Sequence, residues 1–225
     1  MLNAKSICVI GDIAGEMKTL EKLIKKMPKA DLILSVGDLV DRGPDSNRVI
    51  EYFMDDPFGK EALHANHENM MLEALLTGNT NTMDIWLYNG GMATWNAYKG
   101  DIPPEHLIWL ANRPMWYKEN GLFASHAPVA FHKEIPAQYA DWRDFTITKH
   151  LEDSFIWYRK PEPREMPGHF QVYGHNSRFK ENKFIDFEGN EVHYSTCIDN
   201  SRGRPDPSLL GFHWPSREIF SEELR

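Results

Sequence analysis

The chain has 225 residues, with 25 basic against 33 acidic side chains and a formal charge of −8. Apolar residues make up 41% and charged residues 26%, which excludes collagen-like, disordered and coiled-coil chains. At this length a single α/β domain spanning residues 1–225 is expected, large enough to fold without a disulfide.

Ser6–Ile10 is short, apolar and β-branched, and reads as a buried strand. Gly15–Met27 places Met17, Leu20, Leu23, Ile24 and Met27 at helical spacing. Asp31–Val36 is a second buried strand, Asn47–Met54 a helix, Ala62–His64 a short third strand and Glu68–Leu76 a third helix. That β-α-β-α-β order implies parallel strands joined by crossovers. The middle third reads as mainly helical and loop-like: Asn79–Thr82 is a polar loop, and the stretch Asp84–Tyr98, rich in Trp, Tyr, Asn and Gly, is assigned to no single element. Its rings, Trp86, Tyr88, Trp95 and Tyr98, are candidates to line a substrate groove, with core packing the favoured reading. Pro104–Asn112 is a helix with proline in its first turn. Met115–Lys118 and Leu122–Ser125 flank a hairpin turn at Glu119-Asn120-Gly121. A charged Pro-rich loop, Pro161–Pro167, precedes the strand Phe170–Tyr173. Lys183–Phe187 and Glu191–Thr196 form a second hairpin, and Leu209–Phe212 is the final predicted strand.

The acidic balance and the absence of a basic stripe argue against a nucleic-acid duplex as partner. The densest basic run, Lys22–Lys26, reads as a solvated helix face. Two cysteines, Cys8 and Cys197, fit a reducing compartment, and the cytoplasm is the expected location. The apolar run Ile7–Ile10 is too short for a signal-peptide core, and no stretch approaches 18 apolar residues, so no membrane partner is expected. The tyrosine-phosphatase spacing C-x5-R fails, because Gly203 occupies the arginine position with Arg202 one place early. Neither G-x-S-x-G nor a Walker-type loop occurs.

The chemistry lies at the strand ends. Predicted strands run into Gly11-Asp12, Gly37-Asp38, Asn66-His67-Glu68, Ser125-His126 and Gly174-His175. Carboxyl ends of strands line the ligand crevice of open α/β sheets. Two Asp, one Asn and several His converging there suit Mn²⁺, Fe or Zn²⁺ better than a thiolate-preferring metal. A central Asp38 can bridge two ions, and paired metals favour phosphoester hydrolysis. Such chemistry needs a proton for the leaving oxygen, available from His67 with Asp41 to orient it. It also needs positive charge on the phosphoryl oxygens, available from Arg42.

The run Gly37-Asp38-Leu39-Val40-Asp41-Arg42-Gly43, then Asn66-His67-Glu68 and the two strand-end histidines, resembles the metallophosphoesterases of the Ser/Thr protein phosphatase type. The short bacterial and bacteriophage members related to lambda phosphatase are closest in length. The resemblance runs from Gly11 to about His175, with a family-like ending through Asp199. It implies two mixed β-sheets packed face to face with helices outside. It implies Asp12 and Asp38 on a first metal, and Asp38, Asn66, His126 and His175 on a second, with Mn²⁺ the first candidate for both. His67 matches a general acid held by Asp41. Arg42 and, on the looser motif Ile156-Trp157-Tyr158-Arg159, Arg159 match phosphate-binding arginines. The implied reaction is in-line attack by a metal-activated water on a phosphorylated protein or a small phosphate ester.

Two positions depart from the family pattern. Asp-x-His is here Asp12-Ile13-Ala14, so the first site lacks its imidazole and is expected to bind metal more weakly. His64 and His213 are the spare histidines available to fill that gap. The glycine before Asn-His-Glu is Ala65, a strained substitution if the position needs φ > 0 or a close backbone approach. Diadenosine-tetraphosphate hydrolases of this family tend to carry Ala at the position of Asp41 and Asp at that of Glu68, so both residues favour the protein-phosphatase branch. The alternatives are a nucleotide phosphoesterase of the diadenosine-tetraphosphate or cyclic-nucleotide type, and a degenerate phosphate-binding member with weak activity because of Ala14.

Overall fold

The computed structural model describes residues 4–129, 155–159, 163–201 and 205–224. Strand β1, Ile7–Ile10, lies parallel to β2, Leu32–Ser35, which lies parallel to β3, Lys60–Ala62. Helices α1, Met17–Lys26, and α2, Ser46–Met54, follow β1 and β2, and α3, Asn66–Thr77, follows β3. The middle segment is helical: α4, Thr80–Trp86, a wide turn at Leu87–Gly91, α5, Met92–Ala97, and α6, Pro104–Ala111.

A second sheet follows. Strands β4, Trp116–Glu119, and β5, Leu122–Ser125, form the first predicted hairpin, and β6, Phe170–Tyr173, runs parallel to β5. The second hairpin is β7, Lys180–Ile185, with β8, Glu191–Cys197, and β8 lies parallel to β6. The chain then returns to the first sheet through β9, Asp199–Asn200, β10, Ser208–Trp214, and β11, Glu218–Glu223. The sheet orders are β11-β10-β1-β2-β3, with β9 beside β10, and β4-β5-β6-β8-β7. Both sheets are mixed, as the resemblance implied.

Alternation along the strands decides what faces what. Ile7 and Val9 of β1 pack between the sheets with Leu34, Leu122, Ala124, Phe170, Val172 and Phe212. Cys8 and Ile10 turn outward under α1 and α2, against Met17, Leu20, Leu23, Val49 and Phe53. The far face of the second sheet is covered by Trp116, Phe123, Phe155 and Ile156. Each such aliphatic side chain, removed wholly from water, contributes about 1.5–3 kcal/mol.

Four differences from the sequence reading have physical causes. The predicted loop Asn79–Thr82 opens a helix instead: Asn79 Oδ1 accepts the Asn81 N–H at 2.9 Å, so the polar cluster is a cap. Strand β3 ends at Ala62, leaving Leu63 and His64 in the turn toward α3. Strand β7 begins at Lys180 and stops at Ile185, because Asp186 starts the turn that Asn190 closes. Strand β11 was hidden by its charge; it is an edge strand, paired on one side only, where charged side chains are tolerated. Pro161 lies outside the described residues, and Met166 and His169 meet in an isolated bridge.

Candidate active site

Three parallel strands in each sheet point their C-terminal ends at one crevice. From the first sheet come Asp12 after β1, Asp38 after β2 and Asn66-His67 at the start of α3. From the second come His126 after β5, His175 after β6 and Asp199 after β8. All seven are buried. The two sheets touch where Gly174 meets Asp12; a Cβ on Gly174 would lie 2.1 Å from Asp12 Oδ1, so only glycine fits. The His175 N–H donates to both Asp12 oxygens at 3.3 Å.

His126 Nδ1 is 3.0 Å from the Val36 carbonyl, and His175 Nε2 is 3.0 Å from the Trp157 carbonyl. A ring nitrogen facing a carbonyl oxygen carries the proton, so the other nitrogen of each ring bears a lone pair. Those two nitrogens, His126 Nε2 and His175 Nδ1, are 3.1 Å apart, and Asn66 Oδ1 lies 2.7 and 3.0 Å from them. Asp38 Oδ1 is 3.5 Å from His126 Nε2. Three neutral lone-pair donors and a carboxylate face one another, an arrangement that a bound cation satisfies. The fixed tautomers are also those of metal-ligating histidines.

The charges point the same way. Burial, and then the adjacent His126 ring and Arg159 guanidinium, push His175 down to about 3, so its ring is neutral. Burial lowers His126 likewise. Burial alone would raise Asp38, but His67, His126, Arg42 and His175 together hold it below the usual carboxylate range. Burial raises Asp12 well above that range, and the carboxylates of Asp199 and Asp38 raise it further. Asp12, Asp38 and His126 each offer a ligand atom within 4.8 Å of the others. The residues present therefore fit a divalent cation.

Beside this cage His67 and Asp41 are in direct contact. His67 Nδ1 is 2.6 Å from Asp41 Oδ2, while its Nε2 is 2.6 Å from Arg42 Nη2 and 3.8 Å from Asp38 Oδ2. Burial disfavours the imidazolium, but the Asp38 charge and the Asp41 hydrogen bond outweigh it and raise His67 above its ordinary value. Arg159 Nη1 donates to the His175 carbonyl, which brings the second arginine to the same crevice.

The loop after β2 is bent sharply. Asp38, Asp41 and Arg42 all take left-handed φ, at 50°, 72° and 68°. Such conformations persist where the surroundings over-determine them. Here Glu68, fully buried, accepts the N–H groups of Asp38, Leu39 and Val40 at 3.0, 2.7 and 3.3 Å. Burial and the Asp38 charge push its carboxyl up to about 8. This clamp is not visible in the sequence, where Glu68 is one more member of a short motif.

Two expectations need correction. Ala65 has φ −135°, an extended conformation open to any residue, so the missing glycine brings no strain. Tyr88 is no packing residue, being 92% exposed, whereas Trp86 is fully buried. The spare histidines are engaged elsewhere: His213 bonds Ser6 and Ser216, and His64 faces the Leu110 carbonyl. At Ala14 the side chain offers no donor, leaving Asp12 and Asp38 as the sequence-predicted ligands of the first site.

A two-sheet sandwich whose strand ends enclose carboxylate, amide and imidazole donors defines a metallophosphoesterase. Residues 5–195 match the calcineurin-like phosphoesterase family, and the chain belongs to it. It is similar to serine/threonine-protein phosphatase 1 of Salmonella typhimurium strain LT2, 32% identical over 145 residues, which is 63% of this chain and 64% of that protein. It is also similar to the symmetrical bis(5'-nucleosyl)-tetraphosphatase of Shewanella sp. strain ANA-3, 26% identical over 143 residues, 58% of this chain and 45% of that one. The chain thus spans less than two thirds of these relatives. In fold it is like a metallophosphoesterase from Sphaerobacter thermophilus, with a TM-score of 0.57 at 16% identity, over 99% of this chain and 89% of that one.

Proposed function

We propose that the protein is a metal-dependent phosphomonoesterase acting on phosphoserine or phosphothreonine in proteins, with small aryl phosphates as surrogates. The observation that carries this reading is the Asp41–His67 pair, 2.6 Å apart, set beside the lone-pair cage of Asn66, His126 and His175. A cage alone would serve a binding protein; a buried, oriented imidazole next to it serves proton transfer. The roles follow from position. Asp12 and Asp38 hold a first ion, and Asp38, Asn66, His126 and His175 hold a second. Ions bound there supply Lewis-acid polarisation of the phosphoryl group and an acidified water. Mn²⁺ is the first choice for oxygen and imidazole donors without thiolate.

Arg42 and Arg159 bind the phosphoryl oxygens through their planar forks. With Arg42 turned from His67 Nε2 onto the phosphoryl oxygens, that nitrogen takes a proton from solvent and delivers it to the leaving oxygen, while Asp41 keeps the opposite nitrogen protonated and the ring in place. On this reading the whole chain works as one catalytic domain. Two buried free thiols support a reducing compartment, the cytoplasm.

A nucleotide phosphoesterase is the second reading, supported by the likeness to the Shewanella tetraphosphatase. The test is hydrolysis by chelator-stripped protein with Mn²⁺ titrated back, using p-nitrophenyl phosphate, a phosphoserine peptide and diadenosine tetraphosphate, with His67→Ala alongside. Mn²⁺-dependent turnover that favours the peptide and is lost in His67→Ala is expected. A preference above about tenfold in kcat/KM for the dinucleotide selects the second reading. No turnover in a folded protein at saturating Mn²⁺ overturns both.

A further inference from the structure

The hydrogen bonds around Asp41 form a closed set. Its Oδ2 faces His67. Its Oδ1 accepts the indole N–H of Trp86 at 3.0 Å and the hydroxyl of Thr94 at 2.8 Å. The Thr94 oxygen in turn accepts the Asp41 backbone N–H at 2.8 Å and lies 3.0 Å from Ser46 Oγ. Thr94 has one proton and two lone pairs, and all three are used. Asp41, Ser46, Trp86 and Thr94 are each fully buried.

Trp86 closes α4 and Thr94 lies in α5, so the turn between the helices sets their spacing. That turn is fitted to its surroundings on both sides. The Gly90 carbonyl accepts the Arg42 N–H at 3.0 Å. A Cβ on Gly91 would lie 2.5 Å from the Trp86 ring, so the backbone presses directly on the indole. A phenylalanine would fill the volume of Trp86. The indole adds an N–H aimed at a carboxylate 45 residues away in the chain. A carboxylate torsion is broad and roughly two-fold. Two donors on one oxygen fix its plane and leave the other oxygen for the imidazole.

We propose that Trp86 and Thr94 are positioning residues, holding Asp41 so that Oδ2 stays on His67. The α4–α5 segment then belongs to the proton-delivering machinery rather than to the packing alone. This role rests on the reading of His67 as proton donor to the leaving oxygen.

Leaving-group dependence tests it. p-Nitrophenolate departs with little help, whereas phenolate needs its proton. In the full-length Mn²⁺-loaded protein, Thr94→Val and Trp86→Phe should lower kcat on phenyl phosphate about tenfold more than on p-nitrophenyl phosphate, within the range of general-acid effects. KM, and Mn²⁺ affinity by calorimetry, should be unchanged, and Thr94→Ser should restore the rate. Should Trp86→Phe fail to fold, the isosteric Thr94→Val decides. Asp41→Asn is the reference. Equal losses on both esters in the two variants, with leaving-group dependence kept in Asp41→Asn, overturn the positioning role alone. Equal losses in Asp41→Asn as well overturn the proton-donor reading with it.

Discussion

Ala14 adopts φ 49°, a region where histidine is among the better-tolerated side chains. Its backbone is already fixed, the N–H on the Asp38 carbonyl and the carbonyl on the Gly43 N–H. Ala14→His should therefore add an imidazole next to Asp12 without moving the loop. The weaker Mn²⁺ equilibrium should tighten by about tenfold or more, the scale on which ligand-shell changes act. Calorimetry that finds no change in either Mn²⁺ affinity would remove position 14 from the first site. The two thiols make a separate case. Burial pushes Cys8 up from 9.0 to about 11 and raises Cys197 as well. The folded state thus binds these protons more tightly than the unfolded state. Their contribution to stability is complete below pH 9 and declines as pH rises toward 11, by up to about 1.4 kcal/mol per unit for each proton. Urea unfolding at pH 8 and pH 10 should register that loss. Both thiols should resist labelling in the native protein and react after denaturation.

Among the elements, the α4–α5 segment departs furthest from its sequence reading. Its polar start is a cap, and its aromatic content divides: Trp86 is buried against Asp41 while Tyr88 is exposed. No local pattern separates these two rings, since the partner of Trp86 comes from the loop after β2. The question of what satisfies a buried indole N–H was the available clue. Gly91→Ala should cost about 1–3 kcal/mol by overpacking against the indole. It should lower kcat more than it raises KM, because the displaced ring is the donor to Asp41. Thermal melting with steady-state kinetics checks both; a fall in stability with unchanged kcat would separate the segment from catalysis.

For the whole molecule, the two sheets are held together by the layer between them. Leu34 is fully buried there, and Leu34→Ala should cost about 2–5 kcal/mol. Ile185, 65% exposed on an edge strand, should tolerate alanine within about 0.5 kcal/mol. Urea midpoints of the two variants test whether this layer carries the fold. Mn²⁺ binding to the native state alone should raise the melting temperature of the unmutated protein, and a chelator should reverse it.

The sequence alone pointed to the alternating strands and helices of the parallel half of the first sheet, to both hairpins of the second, and to the polar strand-end residues that the structure brings together. The reason is local: short β-branched runs, turn residues and strand-end polar residues are written side by side in the chain. The tertiary structure decided which nitrogen of each histidine carries a lone pair, because the Val36 and Trp157 carbonyls that set this are distant in sequence. It decided that Glu68 clamps the loop after β2 and that Trp86 and Thr94 hold Asp41. It also placed the charged edge strand β11, which has no hydrophobic signature. Such contacts depend on where two sheets and a helical segment meet, and no periodicity within one element encodes that meeting.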